Sequence, residues 1–595
     1  MGAGSSHLAP RSVAYQASSL GLNTTQVQTN GLSQWGTLST PTLPKFLTNN
    51  PLPNGFPWST FDAETNYYEL MPDTGVIRSY DFTISRGVIA PDGYQKQVML
   101  VNGAFPGPAI EANWGDTIQV TLHNNITGPE EGTALHWHGF LQRGTPWEDG
   151  VPAVTQCPVA PGKSFTYSFR PQLYGTTWYH SHYSAQYAGG IFGPIVIYGP
   201  SFSSYDIDLG PVMISDWYHE DYFSLVQKTM DKNGKQFPSD NNLINGKMNF
   251  DCSTLPPSDK TSCFNNAGVS KFKFQRGKKH RLRLVNTGAE AFQRFSIDGH
   301  KMTVIANDFV MLQPYETDTV TLAVGQRADV VVEANGDGDA FWMRTHVGGR
   351  ACAYSTQPVA LAAIYYDGAD ESQQPTSHAV NGWDDASCSD ADLNLTNPIL
   401  LVPAQKPDVE KTIEIDFYKN ETGFNLWHVN GSAFRGNYNS PTLLLGKLHN
   451  MTALQTPEWN VINLEQANMV RVVVKNKFFA DHPMHLHGFN MQVLHIGTGD
   501  WDGTIVRPLN PQRRDVVMVP AKGHLVIQFE AGKNPGVWPF HCHIAWHVSA
   551  GLFVQFLTNE DAVTRLPIPQ TVAQTCREWG DWTNTNIPEQ IDSGL

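Results

Sequence analysis

The chain has no apolar run long enough to cross a bilayer, which reads as a soluble protein without a membrane partner. It is also poor in charge. Asp, Glu, Lys and Arg make up 16% of its 595 residues, and the net charge is −15. That balance disfavours nucleic acid or anionic lipid as a partner. Low-complexity tracts and heptads are absent, so no coiled coil is expected. The first residues, MGAGSSHLAPRSV, lack the apolar core of a secretion signal. What is plentiful is Gly (51), Pro (39) and aromatic residues (30 Phe, 20 Tyr, 16 Trp). This composition suits strands joined by turns around large cores rather than long helices. The length exceeds what one core supports, so about two to four domains are expected.

Cysteines are few, seven in all. With Cys542 set aside as a metal ligand (below), Cys157, Cys252, Cys263, Cys352, Cys388 and Cys576 remain, an even set. Asn-x-Ser/Thr sequons occur at Asn23, Asn125, Asn394, Asn420, Asn430 and Asn450. Spare cysteines and sequons together favour a secreted, oxidising setting.

Residues 1–66 read as an irregular extension rich in Ser, Thr, Asn, Pro and Gly. The segment GDTIQVTLHNN (115–125) then recurs in altered form as KKHRLRLVNTG (278–288) and NMVRVVVKNKF (468–478). Each copy reads as a strand closed by a polar turn, which predicts three related domains. Composition loosens at 199–210 and 367–390, setting expected domains at 67–205, 206–375 and 376–560, followed by a tail at 561–595.

WYHSHYSAQYAGGIFG (178–193) aligns without gaps on PFHCHIAWHVSAGLFV (539–554). His180 and His182 match His541 and His543, while Ser181 stands for Cys542 and Gln186 for His547. The middle domain has no such pair. Because side chains alternate on a strand, His541 and His543 face one way and Cys542 the other. Four clusters hold ten of the 21 histidines: His136 and His138; His180 and His182; His482, His485 and His487; His541, His543 and His547. Buried imidazoles gathered in this way need a cation or hydrogen-bond partners to offset desolvation. Cys542, His547 and one further histidine make a trigonal blue-copper set. The eight that remain suit three coppers, two with three histidines each and one with two, rather than four-ligand structural zinc. The lone histidines His219, His280, His300 and His524 read as satisfied surface or core residues.

HWHGF, WYHSHYSAQY, HPMHLHG and HCHIAWHVSAGL are similar to the four copper-binding signatures of multicopper oxidases. HWHGFLQRGTPWEDG, SAQYAGG, NLINGK and the terminal DSGL further resemble ascomycete laccases, from about residue 67 to the end. The resemblance implies an all-β chain of three cupredoxin-like Greek-key β-sandwich domains, acting on small aromatic reductants and O2 as a monomer. It implies four copper ions. The type 1 ion would be held by His482, Cys542 and His547, with Leu552 in the axial place. The type 2 ion would take His136 and His485, and the type 3 pair His138, His180, His182, His487, His541 and His543. A non-coordinating Leu552 raises the reduction potential and argues against the Met-ligated ascorbate and bilirubin oxidases.

Reduction of O2 to water consumes four electrons and four protons, so carboxylates are expected near the cluster. By resemblance these are Asp149 and, from a tail that plugs the molecule, Asp592 with the Leu595 carboxylate. Resemblance also pairs Cys157 with Cys576 and Cys352 with Cys388, leaving Cys252 for Cys263. The donor should dock over His547. Counting back from KKHRLR puts Asn266, or Asn265, where relatives carry an acid that accepts a phenol's hydrogen bond; Asp251 or Asp259 could serve instead. The implied activity is one-electron oxidation of phenols, aromatic amines or similar reductants. The rivals are an Fe(II) or Cu(I) oxidase, an oxidase of a pigment or secondary-metabolite precursor, a copper-storage protein, and a nitrite-reductase-like relative.

Overall fold

The computed structural model describes residue 58 and residues 60–232, 237–349, 353–379 and 388–595. Most of the expected N-terminal extension, Asn23 included, lies outside the described residues. Among these residues the strands form six sheets, two in each of three successive stretches of chain.

The recurring sequence segment is the same structural strand each time. Thr117–Asn124, Lys279–Asn286 and Met469–Asn476 each lie beside the first long strand of their domain. Their partners Ile77–Ile89, Ile207–Trp217 and Val409–Lys419 run parallel to them. In the first copy burial alternates strictly, with Ile118, Val120 and Leu122 inward and Thr117, Gln119 and Thr121 outward. That period of two seats one face on a core and leaves the other wetter. Two facing sheets per domain, each with one apolar side, give the β-sandwich layering expected from the sequence.

The histidine motifs lie on the second sheet of the first and third domains. Leu135–Trp137 pairs antiparallel with Gly175–Ser181, setting His136 opposite His180. His482–Leu486 pairs in the same sense with Gly536–Cys542, setting His485 opposite His541. Two equivalent strand pairs therefore present matching histidines. The gapless alignment of 178–193 on 539–554 is realised in three dimensions.

The middle domain supplies no histidine to this junction but braces it. Arg327 donates two hydrogen bonds to Asp515, at 2.5 and 2.8 Å, and Arg514 donates two to Asp308, both at 3.0 Å. All four side chains are buried, so the network joins the second and third domains at fixed geometry. The Cys157–Cys576 disulfide ties the helix Gln570–Thr583 to the first domain, and Cys252–Cys263 closes a loop in the second. Cys388 is disulfide-bonded, while its expected partner Cys352 lies outside the described residues. Asn125, Asn394, Asn430 and Asn450 are exposed and Asn420 is half-buried.

Candidate metal centre

Eight imidazoles converge where the first and third domains meet. The ligating atoms of His138, His180 and His543 lie within 4.8 Å of one another, as do those of His182, His487 and His541, and those of His136, His138 and His485. Every one of the eight is buried. Burial, then neighbouring histidines, holds His138, His182 and His485 well below the ordinary histidine range; burial brings His541 down to about 4. Neutral imidazoles with free lone pairs are what a cation requires.

Second contacts set the orientation of each ring. Nδ1–H donates to a backbone carbonyl in His136 (Asp149, 2.7 Å), His180 (Ser181, 3.0 Å), His485 (Asp515, 2.9 Å) and His541 (Cys542, 2.8 Å). His487 Nδ1 donates to the Asp149 carboxylate at 2.8 Å, and His138 Nε2 to Asp515 at 3.1 Å. Each bond selects a tautomer and aims the other nitrogen inward. Nε2 of His136, His180, His182 and His485 is buried with no hydrogen-bond partner. Four orphaned nitrogens aimed at one space are costly unless a cation satisfies them, so the donor set fits bound metal.

One contact comes from the middle domain. At Gly325 the backbone has φ +86°, and a Cβ there would stand 2.8 Å from His543 and 3.0 Å from His138. Only glycine lets this loop close over the rings.

On the opposite face of the same strand sits the second set. Cys542 Sγ is 3.5 Å from His547 Nδ1 and 3.8 Å from His482 Nδ1, and the two nitrogens are 3.1 Å apart. Burial pushes the Cys542 thiol far up and brings His547 down to about 3. A buried thiolate therefore needs a metal to exist at all. Leu552 is fully buried, and its carbonyl accepts from Cys542 N at 3.2 Å.

Beside His547 opens a cavity of about 410 Å³ walled by Phe237, Phe292, Phe417, Trp427, Phe478, Phe479 and Trp546. Its acids are Glu290 and Asp481. Neither was anticipated from sequence. Asn266 does not line this cavity, which corrects the expectation that it faces the donor. It sits at φ +62° in a loop that docks on the first domain, where Phe264 N donates to Gly93 O at 3.1 Å and Asn265 accepts from Cys252 N at 2.9 Å. Asp259 is taken up by Tyr94 at 3.0 Å, and Asp251 caps the turn Cys252–Thr254.

The C-terminus is buried. Asp592 accepts from Ser184 at 2.7 Å and Ser549 at 3.0 Å, Gly594 O accepts from Tyr438 at 2.7 Å, and Arg435 donates to Asp592 O at 2.9 Å. Burial raises the Asp592 carboxyl above its usual range. Of the lone histidines, His219 bonds Asp92 at 2.9 Å, His280 accepts from Gln275 N at 3.0 Å and His300 bonds Tyr366 at 2.7 Å. Also missed from sequence were Asp515, Arg327 and Trp427, whose ring centroid lies 4.6 Å from those of both His482 and His547. The charged run QRRD inside an apolar strand region was the one available signal for Asp515.

Comparison with known proteins points one way. Three family models described as "Multicopper oxidase" match residues 83–201, 208–369 and 435–562. Laccase-2 of Botryotinia fuckeliana is 37% identical over 550 residues, covering 90% of this chain and 92% of that protein. Dihydrogeodin oxidase of Aspergillus terreus is 35% identical over 600 residues, covering 94% and 97%. The crystal structure of the laccase from Botrytis aclada superposes with a TM-score of 0.83 at 36% identity, covering 90% of this chain and 98% of that one.

Proposed function

The chain belongs to the multicopper oxidase family and is a copper-dependent oxidoreductase of laccase type; we propose that its donors are bulky phenols and related aromatic reductants, oxidised one electron at a time. The aromatic-walled cavity beside His547 carries this reading. Its size and its ring faces suit an aromatic donor far better than a hydrated metal ion.

In this reading His482, Cys542 and His547 would hold the type 1 ion, with the buried Leu552 beside them. His136 and His485 would hold the type 2 ion. The triads His138, His180, His543 and His182, His487, His541 would hold the type 3 pair. Copper bound at these positions supplies one-electron chemistry at the Cys542 site and four-electron reduction of O2 to water at the histidine cluster. Cys542 and its neighbours His541 and His543 join the two sites through a few covalent bonds. Glu290 accepts the hydrogen bond of a phenol donor and takes its proton as the ring is oxidised. Asp149 orients His487 through its carboxylate and His136 through its backbone carbonyl, and stands as an acid at the edge of the cluster. Asp592, seated against Ser184, supplies protons from the tail side. Exposed sequons and the disulfides support a secreted protein.

Oxygen uptake by copper-loaded protein tests this with bulky phenols, simple phenols and Fe(II) in parallel. Bulky phenols are expected to give the highest kcat/KM. A preference for Fe(II) would make the protein a metal-ion oxidase instead.

A further inference from the structure

A second pair of histidines lies on the other sheet of the third domain, away from every residue assigned above. His495 is on strand Met491–Thr498 and His524 on the neighbouring antiparallel strand Gly523–Glu530. His495 Nδ1 and His524 Nε2 stand 2.9 Å apart. Within the copper cluster, His487 Nε2 and His541 Nε2 are 3.0 Å apart, and His543 Nε2 and His138 Nδ1 are 3.2 Å apart. The separation is that of two nitrogens facing one ion.

Three features of the backbone build this arrangement. First, the strand register slips between Val493 and His495, a bulge that re-aims the His495 side chain. Second, His524 pairs across the ladder with Gly497, where a Cβ would stand 3.0 Å from His524 Cε1 and 3.2 Å from His495 Cε1. The missing side chain leaves the space in front of the two rings open. Third, His524 Nδ1 donates to Gly499 O at 2.7 Å, which turns Nε2 and its lone pair toward His495. That is the same device that orients His136, His180, His485 and His541 in the cluster.

The surroundings favour a cation. Asp502 acts electrostatically on His495 from the loop that begins at Gly499, while Asp500 of that loop takes up Lys475, the cross-strand neighbour of His524, at 2.8 Å. Trp501 anchors that loop by packing on Leu494 and Val526 and by donating to Thr504 O at 2.7 Å. Burial, then His524, keeps His495 below the ordinary histidine range, so its imidazole is neutral and ready to ligate at neutral pH. His524 is 2% exposed while His495 is half-buried, so an ion reaches the pair from the His495 side.

We propose that His495 and His524 form a fifth metal site, for a divalent transition-metal cation of the Zn²⁺ class, with solvent completing its shell. The ion is exchangeable and separate from the copper centres, because its strands belong to the third domain's six-stranded sheet and that domain's copper-motif strands to its five-stranded one.

Zinc is the probe, being inert to oxidation and reduction. Fully copper-loaded protein is titrated with Zn²⁺ at neutral pH by calorimetry, and crystals soaked in Zn²⁺ are measured at the zinc absorption edge. One zinc per chain is expected, with an anomalous peak between the two rings and copper content unchanged. His495→Gln and His524→Gln should each weaken that binding by about tenfold or more. If His524→Gln fails to fold, the half-buried His495→Gln and the wild-type anomalous map still decide the matter. Absence of the peak, or equal affinity in the variants, would mean the pair merely shares a proton.

Discussion

Glu290 shows how a single side chain can decide a donor's fate. It lines the cavity beside His547, while Asn266, the position chosen by counting along the sequence, is exposed and does not line it. Counting failed because the stretch between Cys263 and the strand Ser270–Phe274 is irregular, so distance along the chain does not fix where its side chains face. Glu290→Gln keeps shape and loses the base. It is expected to lower kcat/KM for phenols roughly tenfold, the size of one charged hydrogen bond, while a donor with no acidic proton is oxidised as before. Steady-state kinetics with both donor types checks this, and Asn266→Asp should change neither. The copper-motif histidines, by contrast, were legible at once. Nine of the ten have another histidine two or three positions away, so short-range pattern contains the chemistry.

At the level of elements, two antiparallel strand pairs meet, and a loop of the middle domain closes over them. The strand pairs could be read from two aligned HxH motifs. The loop could not, since its role depends on Gly325 arriving beside His138 and His543 from a different domain. A methyl at that position has nowhere to go: its φ is disfavoured for alanine and both rings are within 3.0 Å. Gly325→Ala is therefore expected to displace the His138–His543 side of the cluster and cut O2 turnover by about tenfold or more. The blue absorption of the Cys542 site should persist. Parallel oxygen-uptake and visible-absorption measurements separate the two effects, and equal loss of both would indicate general misfolding.

For the whole molecule, the second and third domains are held together by what the sequence shows least. The Arg327–Asp515 and Arg514–Asp308 pairs link residues 188 and 206 positions apart. The three-sandwich architecture itself was readable, because period-two burial and a thrice-repeated strand are local patterns. Which charges would meet between sandwiches was not.

The buried tail is a second long-range feature, foreshadowed by DSGL but not its partners Ser184, Ser549, Tyr438 and Arg435. Burial raises the Asp592 carboxyl, so the docked tail binds a proton more tightly than the free one. The stabilisation this gives is fully present below the ordinary carboxylate pKa and is lost as pH rises through the raised value. Tail docking should thus be firmest in acid and loosen toward neutrality. Hydrogen exchange at residues 592–595 across that range would show it, and Asp592→Asn should abolish the pH dependence. Deleting DSGL should lower turnover or shift its pH profile.

The central claim is that Cys542 alone connects a donor-facing copper site to a cluster that reduces O2. Cys542→Ser tests it most directly, with copper counted per chain and oxygen consumption followed in two ways. The variant is expected to lose the blue colour and one copper of four, and to stop oxidising phenols. After chemical reduction its histidine cluster, then holding three of the four electrons, should still react with O2 once but stop short of water. Retention of four coppers, or of phenol oxidation, would contradict the account.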